Sequence, residues 1–258
     1  MGGVLVGDRG GNGPALILIH GWALDRRMWA AQQPAFRRHF TTVSYDRRGF
    51  GESTHGPDAG KELDDLDALI RTLQLGRTAL LGMSQGARVA LRYALAHPDK
   101  VTALILQGAP IEPTPPPQGD PAYLPLREYA ELLSRGRVEE MHAAIAAHPL
   151  MDVPVERARA HAALLRMIHG YRGEDLLAAG AAADLRGRLS EIKALTLVLT
   201  GNTETPWLNA AADRLAASIP NARRSVIQGG GHLVNMTAAR AFNQAVINFL
   251  KSAMTSLA

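Results

Sequence analysis

Gly82-Met83-Ser84-Gln85-Gly86 decides how this chain reads. Ahead of it, Thr78-Ala79-Leu80-Leu81 is short and apolar, which predicts a buried strand. After it, Ala87-Arg88-Val89-Ala90-Leu91-Arg92-Tyr93-Ala94-Leu95 predicts a helix, ended by His97-Pro98. A serine between strand and helix sits on a sharp, strained turn that exposes its hydroxyl. The flanking glycines are needed because a Cβ there would crowd the turn and the neighbouring backbone. In a chain with 25 glycines the pentapeptide alone is a weak signal. The strand before it and the helix after it supply the meaning.

Similar apolar runs recur on both sides. Ala15-Leu16-Ile17-Leu18-Ile19 stops at His20-Gly21, and Thr41-Thr42-Val43-Ser44-Tyr45 ends at Asp46. Further strand-like segments are 78–83, Val101-Thr102-Ala103-Leu104-Ile105-Leu106, Leu195-Thr196-Leu197-Val198-Leu199 and Arg224-Ser225-Val226-Ile227. Runs without polar alternation suit strands buried on both faces of a parallel sheet. Helical patterns separate them at about 25–38, 60–74, 86–96, 206–218 and 236–252. This alternation predicts an α/β fold with right-handed crossovers and a doubly wound, mostly parallel sheet.

The alternation breaks between about 110 and 192. Pro110, Pro113, Pro115, Pro116, Pro117, Pro121 and Pro125 exclude a helix or central strand from the first stretch. Ala- and Leu-rich helical segments follow at 125–135, 137–147, 154–169 and 173–182. The expected organisation is a core of residues 1–109 and 193–258. Residues 110–192 then form a helical cap over the sheet's carboxyl edge, where open α/β sheets bind ligands.

A chain of 258 residues is long enough for one such domain with an insertion. The formal net charge of +4 is spread along the sequence without basic runs interleaved with aromatics, which argues against nucleic-acid binding. The absence of cysteine excludes disulfides, thiolate catalysis and zinc-thiolate sites. Residues 1–9 lack a charged segment followed by a long apolar stretch, and no segment has the apolar length to span a bilayer. A soluble, cytoplasmic protein without a membrane partner is the expectation; oligomeric state is open.

A serine hydroxyl is a weak nucleophile until a base takes its proton, and that base needs a third group to hold its tautomer. His232, in Gly229-Gly230-Gly231-His232 after the last strand-like segment, is the candidate base. Glu204, in the loop after 195–199, is the candidate acid, and the order Ser84, Glu204, His232 is that of an acyl hydrolase. The alternative for Glu204 is a helix-start carboxylate favoured by the helix dipole. The rival acid is Glu112, just past the 101–106 strand. Donors for a developing oxyanion are expected from the backbone N–H groups of Gln85 and Trp22, the latter in His20-Gly21-Trp22-Ala23. His20 reads as a loop-bonding residue and Asp46-Arg47-Arg48-Gly49-Phe50-Gly51 as a structural turn, with substrate binding the alternative. Tyr123, Tyr129 and Tyr171 serve either a pocket or helix packing. The spacing of His142, His148, His161 and His169 provides no i, i+4 metal pair.

Taken together, His20-Gly21-Trp22, Tyr45 to Ser53, Gly82-Met83-Ser84-Gln85-Gly86 and Gly231-His232 resemble the α/β-hydrolase superfamily. The likeness covers nearly the whole chain except the helical insertion, which corresponds to the variable cap. Within the superfamily the spacing is similar to enol-lactonases, small carboxylesterases and cofactor-free haloperoxidase-like members. Two departures stand out: Glu at 204 where Asp is usual, and a short N-terminus that leaves the first edge strand missing or rudimentary. The resemblance implies a serine hydrolase of a small ester, lactone or related acyl compound, needing no cofactor or metal. Two rivals keep the fold: a ligand-binding sensor with little turnover, and a non-hydrolytic lyase or cyclase in a biosynthetic pathway.

Overall fold

The computed structural model describes residues 3–111, 115–178 and 184–255. Among them, β1 (Gly7–Gly10), β2 (Ala15–Ile19), β3 (Thr41–Tyr45), β4 (Thr78–Met83), β5 (Val101–Gln107), β6 (Leu195–Gly201) and β7 (Ala222–Ile227) form one sheet. Its order is β1-β3-β2-β4-β5-β6-β7. Every pairing is parallel except that of β1 with β3. The first edge strand therefore exists, but only as the four residues of β1.

Burial explains why the central strands lack polar alternation. In β2, Leu16 and Leu18 face one apolar cluster while Ile17 and Ile19 face another. The first cluster takes in Phe36 of α1 (Gln33–Phe36) and, near the C-terminus, Phe242, Val246 and Leu250. The second takes in Leu66 and Ile70 of α2 (Glu62–Thr72), Val89 and Leu91 of α3 (Gln85–Ala96), and Leu215 further on. Helices thus cover both faces, and the central strands β2, β4, β5 and β6 are dry on both sides, whereas the edge strands β1 and β7 keep exposed positions.

Between β5 and β6 lie α4 (Leu126–Ser134), α5 (Val138–Ala146) and α6 (Ala158–His169), with short 3-10 turns at Pro149–Met151, Glu174–Leu177 and Arg186–Glu191. Tyr129, Met141, Leu164 and Tyr171 from this insertion join the cluster that holds Trp22 and Leu24. After β6 come α7 (Pro206–Ser218), then α8 (Val234–Thr237) and α9 (Ala239–Thr255) beyond β7.

Three helical expectations are corrected. Residues 25–38 form a 3-10 turn at Arg26–Trp29 and then the four residues of α1. Pro34 is the cause, since its ring removes a donor and collides with the carbonyl four residues back. The 236–252 helix is two helices, broken where Ala238 leaves helical geometry at φ −124° and ψ 45°. The 173–182 segment contains only the 3-10 turn at Glu174–Leu177, and its last residues lie outside those described.

Ile19 pairs with Gly82 and Met83 with Gln107, so β2, β4 and β5 end level with one another. Their outgoing loops, together with those after β6 and β7, leave from one edge of the sheet. No helix among the described residues is long and apolar enough to cross a membrane.

Candidate active site

Ser84 closes β4 and opens α3 with φ 52° and ψ −117°. A non-glycine residue at positive φ is strained by about 1–3 kcal/mol, so the surrounding packing must impose it. That packing is tight at both glycines. A Cβ on Gly82 would stand 2.4 Å from the Gly86 carbonyl oxygen, and one on Gly86 would stand 2.2 Å from that of Ile19. The elbow is pressed onto the end of β2, and the half-buried Ser84 stands at its apex.

His232 follows the glycine loop after β7 and is buried. Its Nδ1 lies 3.0 Å from Glu204 Oε2. The other oxygen of that carboxylate accepts the Thr205 N–H at 2.9 Å, at the entrance to α7. Glu204 is therefore both a helix-start carboxylate and the partner of the imidazole, two readings the sequence set against each other. Glu112 lies outside the described residues.

Two residues that the sequence does not mark as part of the site, Gly108 and Gln107, pack against this pair. Gly108 has φ 53°, and a Cβ there would lie 2.7 Å from His232 Nδ1 and 3.2 Å from Glu204 Oε2. Only glycine lets the β5 backbone close over the ring. Gln107, fully buried, accepts the Ser84 N–H on its carbonyl at 2.8 Å. Its side-chain Nε2 donates to the His232 carbonyl and to Asn235 Oδ1, both at 2.9 Å. From Asn235 the chain of buried amides runs on through Gln32, which donates to the Asn235 carbonyl at 2.8 Å and to Asn243 Oδ1 at 3.0 Å. A polar residue ending the otherwise apolar run Val101 to Leu106 was the available signal.

On the facing loop, Gly21 lies against the elbow: a Cβ there would be 3.5 Å from Ser84 Cβ. The next backbone N–H is that of Trp22. The Gln85 N–H opens α3, ahead of any carbonyl of its own helix. His20 behaves as a structural residue. Its Nε2 accepts the Arg47 N–H at 2.9 Å and its Nδ1 lies 2.8 Å from the Gly21 carbonyl oxygen, so the proton belongs on Nδ1. Burial, and then the Arg47 charge, push this imidazole down from 6.5 to about 3, leaving it neutral.

The Asp46 loop is likewise held by its own backbone. Asp46 accepts the N–H groups of Arg26 at 2.8 Å and Glu52 at 2.9 Å, and pairs with the Arg26 guanidinium. Tyr129 and Tyr171 are packing residues: Tyr129 stacks on Trp22 at 5.9 Å, and Tyr171 meets Trp22 edge-on at 5.4 Å. Tyr123 is half-buried, its carbonyl 2.9 Å from His148 Nε2. Among the described residues no three His, Asp or Glu side chains cluster as metal ligands would. A cavity of about 650 Å³ lies between Arg27, Met28 and Met236 on one side and Arg157 to Ala163 on the other. Neither Ser84 nor His232 lines it.

Known proteins share this architecture. The family model for the alpha/beta hydrolase fold matches residues 14–141. A RutD protein of Rhizobium rhizogenes strain K84, named for carbamate hydrolysis, is 31% identical over 252 residues, covering 92% of each chain. A thermophilic esterase from Thermogutta terrifontis superposes with a TM-score of 0.79 at 27% identity, over 96% of this chain and 93% of that one. The enol-lactonase of Burkholderia xenovorans LB400 shares the fold with a TM-score of 0.81 at 24% identity, over 96% of this chain and 97% of its own. With its elbow, its sheet order and these likenesses over nearly its full length, the chain belongs to the α/β-hydrolase family.

Proposed function

We propose that the protein is a serine hydrolase that cleaves a small ester, lactone or related acyl compound. The observation that carries this reading is the 3.0 Å contact of His232 Nδ1 with Glu204 Oε2, in a site that also holds a strained Ser84. Chain order Ser84, Glu204, His232 accords with it.

The chemistry follows from the groups. His232 Nδ1–H donates to Glu204, which fixes the tautomer and leaves Nε2 as the base. Nε2 takes the Ser84 proton as Oγ attacks the substrate carbonyl. The carbonyl π pair moves onto oxygen, and the N–H groups of Trp22 and Gln85 bind that oxyanion. On collapse the bond to the leaving oxygen breaks, and His232 returns its proton to the departing alkoxide. Water, deprotonated by His232, then attacks the acyl-Ser84 ester; on collapse the bond to Oγ breaks, His232 returns the proton to Ser84, and the acid is freed. No step calls on a metal or an organic cofactor. The insertion between β5 and β6 acts as the cap that shapes the substrate space, and a carbamate belongs among candidate substrates because the Rhizobium relative is named for it.

The test is hydrolysis of p-nitrophenyl acetate by wild type and Ser84→Ala, with mass spectrometry of the protein during turnover. Loss of turnover by about three orders of magnitude or more, with an acyl adduct on Ser84 in the wild type, is expected. Undiminished activity in Ser84→Ala overturns the assignment. Tight ligand binding without turnover in the wild type points to a sensor, and product formed without net addition of water to a lyase.

A further inference from the structure

The Trp22 loop is held in a conformation its own residues do not favour. Ala23, directly after Trp22, has φ 56°, one of three non-glycine residues at positive φ among those described. The strain of such a residue persists only where other contacts over-determine it. Part of that determination comes from far away in sequence. The Trp22 indole Nε1–H donates to Asp175 Oδ2 at 3.0 Å, across 153 residues. The other Asp175 oxygen accepts the Tyr171 hydroxyl at 2.6 Å. Both partner rings are buried, with Trp22 and Tyr171 each 4% exposed, so neither donor has water as a substitute.

We propose that Asp175 is a positioning residue for the oxyanion-binding loop: its carboxylate, presented by the insertion, sets the place of the Trp22 backbone N–H by gripping the Trp22 indole. The inference rests on the reading of that N–H as an oxyanion donor. Asp175 touches no reacting atom in that scheme and acts through Trp22.

The segment that carries Asp175 is itself anchored to the core. Arg172 donates to the Gly51 carbonyl at 2.6 Å and to that of Ser53 at 3.3 Å. Tyr171 stacks on Phe50 at 5.9 Å, and its carbonyl oxygen lies 2.8 Å from His142 Nε2. Residues 171–175 thus join the insertion to two core loops at once, one of them the Trp22 loop. A carboxylate suits this place because it accepts two donors with two oxygens. Burial raises its pKa, and the Tyr171 and Trp22 donors oppose that rise. An oxyanion donor displaced by an ångström loses most of its value to the transition state while leaving ground-state binding nearly intact.

The test compares Asp175→Leu, Asp175→Asn and Trp22→Phe with wild type. The readouts are kcat and KM on p-nitrophenyl acetate, the inhibition constant of 1,1,1-trifluoroacetone, whose hemiketal with Ser84 carries an oxyanion, and labelling of Ser84 by a fluorophosphonate. For Asp175→Leu, kcat is expected to fall about tenfold to a hundredfold with KM within about twofold, and the ketone's inhibition constant to rise by a similar factor. Asp175→Asn keeps an acceptor for the indole and offers a donor to the Tyr171 oxygen, so it is expected within about threefold of wild type. Trp22→Phe keeps a ring but removes the gripped N–H, and reproduces the Asp175→Leu pattern should that variant fail to fold.

Wild-type kcat and ketone affinity in Asp175→Leu, or in Trp22→Phe where it alone folds, overturn the proposal. So does a rise in KM at constant kcat, which would make Asp175 a substrate-binding group. If Ser84 takes no label and Ser84→Ala stays active, the hydrolase reading has failed. If Ser84 is labelled and required but the Asp175 and Trp22 variants match wild type, only the positioning role has failed.

Discussion

His232 Nδ1 and Glu204 Oε2 lie 3.0 Å apart, and the same carboxylate anchors its second oxygen on the Thr205 N–H. One side chain thereby ties the imidazole to the residue that caps α7. The backbone at 204 is itself held by the helix start, where the Asn209 side chain donates to the Glu204 carbonyl at 3.0 Å.

Glu204→Gln is expected to reduce kcat by about two to four orders of magnitude, because an amide nitrogen facing Nδ1 favours the wrong imidazole tautomer. Glu204→Asp, one methylene short of the contact, should fall between wild type and the amide. Both are read by kcat on p-nitrophenyl acetate. An unchanged kcat in Glu204→Gln would move the acid elsewhere, with Glu112→Gln as the next variant to measure.

Gly108→Ala places a methyl 2.7 Å from the His232 ring at a residue with φ 53°. The ring must move or the backbone must change, so kcat should drop by about a hundredfold or more while far-ultraviolet circular dichroism stays the same. The methyl's neighbours are the imidazole and the Glu204 carboxylate, so KM is expected to change much less than kcat.

Gln107→Leu removes the donor shared by the His232 carbonyl and Asn235 Oδ1. Each buried acceptor left without a partner costs about 1–3 kcal/mol, so urea unfolding should show a stability loss of that order. The loop carrying His232 is loosened as well, and kcat should decline together with stability. A variant as stable as wild type would show that relaxation or water restores both bonds.

Acid should weaken the fold through His20. Its folded pKa, about 3, lies below the unfolded 6.5, so the unfolded state binds the proton first. The contribution is complete above 6.5 and is lost as pH falls from there toward 3. Between pH 7 and pH 5 the loss from this one residue is about 2 kcal/mol. His20→Gln, which does not titrate, should show a shallower fall in urea midpoint across that interval; an identical slope would assign the acid sensitivity to other groups.

Local signals carried much of the fold and part of the site. The five residues around Ser84 were legible because their neighbours announce strand and helix within a dozen positions. His232 and Glu204 were legible from their places at strand ends. The pattern at 25–38 suggests one helix, yet Pro34 removes a donor from its middle and the segment divides into a 3-10 turn and the four residues of α1. Gln107 shows in the sequence only as a polar end to an apolar run, and Gly108 not at all, since the His232 backbone and ring that they meet lie more than a hundred residues away.

By itself, then, the sequence determined the α/β alternation, the serine elbow and the order of its candidate partners, because periodicity, glycine placement and turn chemistry act over short stretches. Only the tertiary structure decided that one carboxylate oxygen of Glu204 accepts the N–H of Thr205, the residue that caps α7, while the other meets His232. It alone joined Gln107 to the His232 backbone and Asp175 to Trp22. Those links depend on which strand ends and loops the sheet brings to one edge, a matter of crossover geometry and burial that no local run of residues encodes.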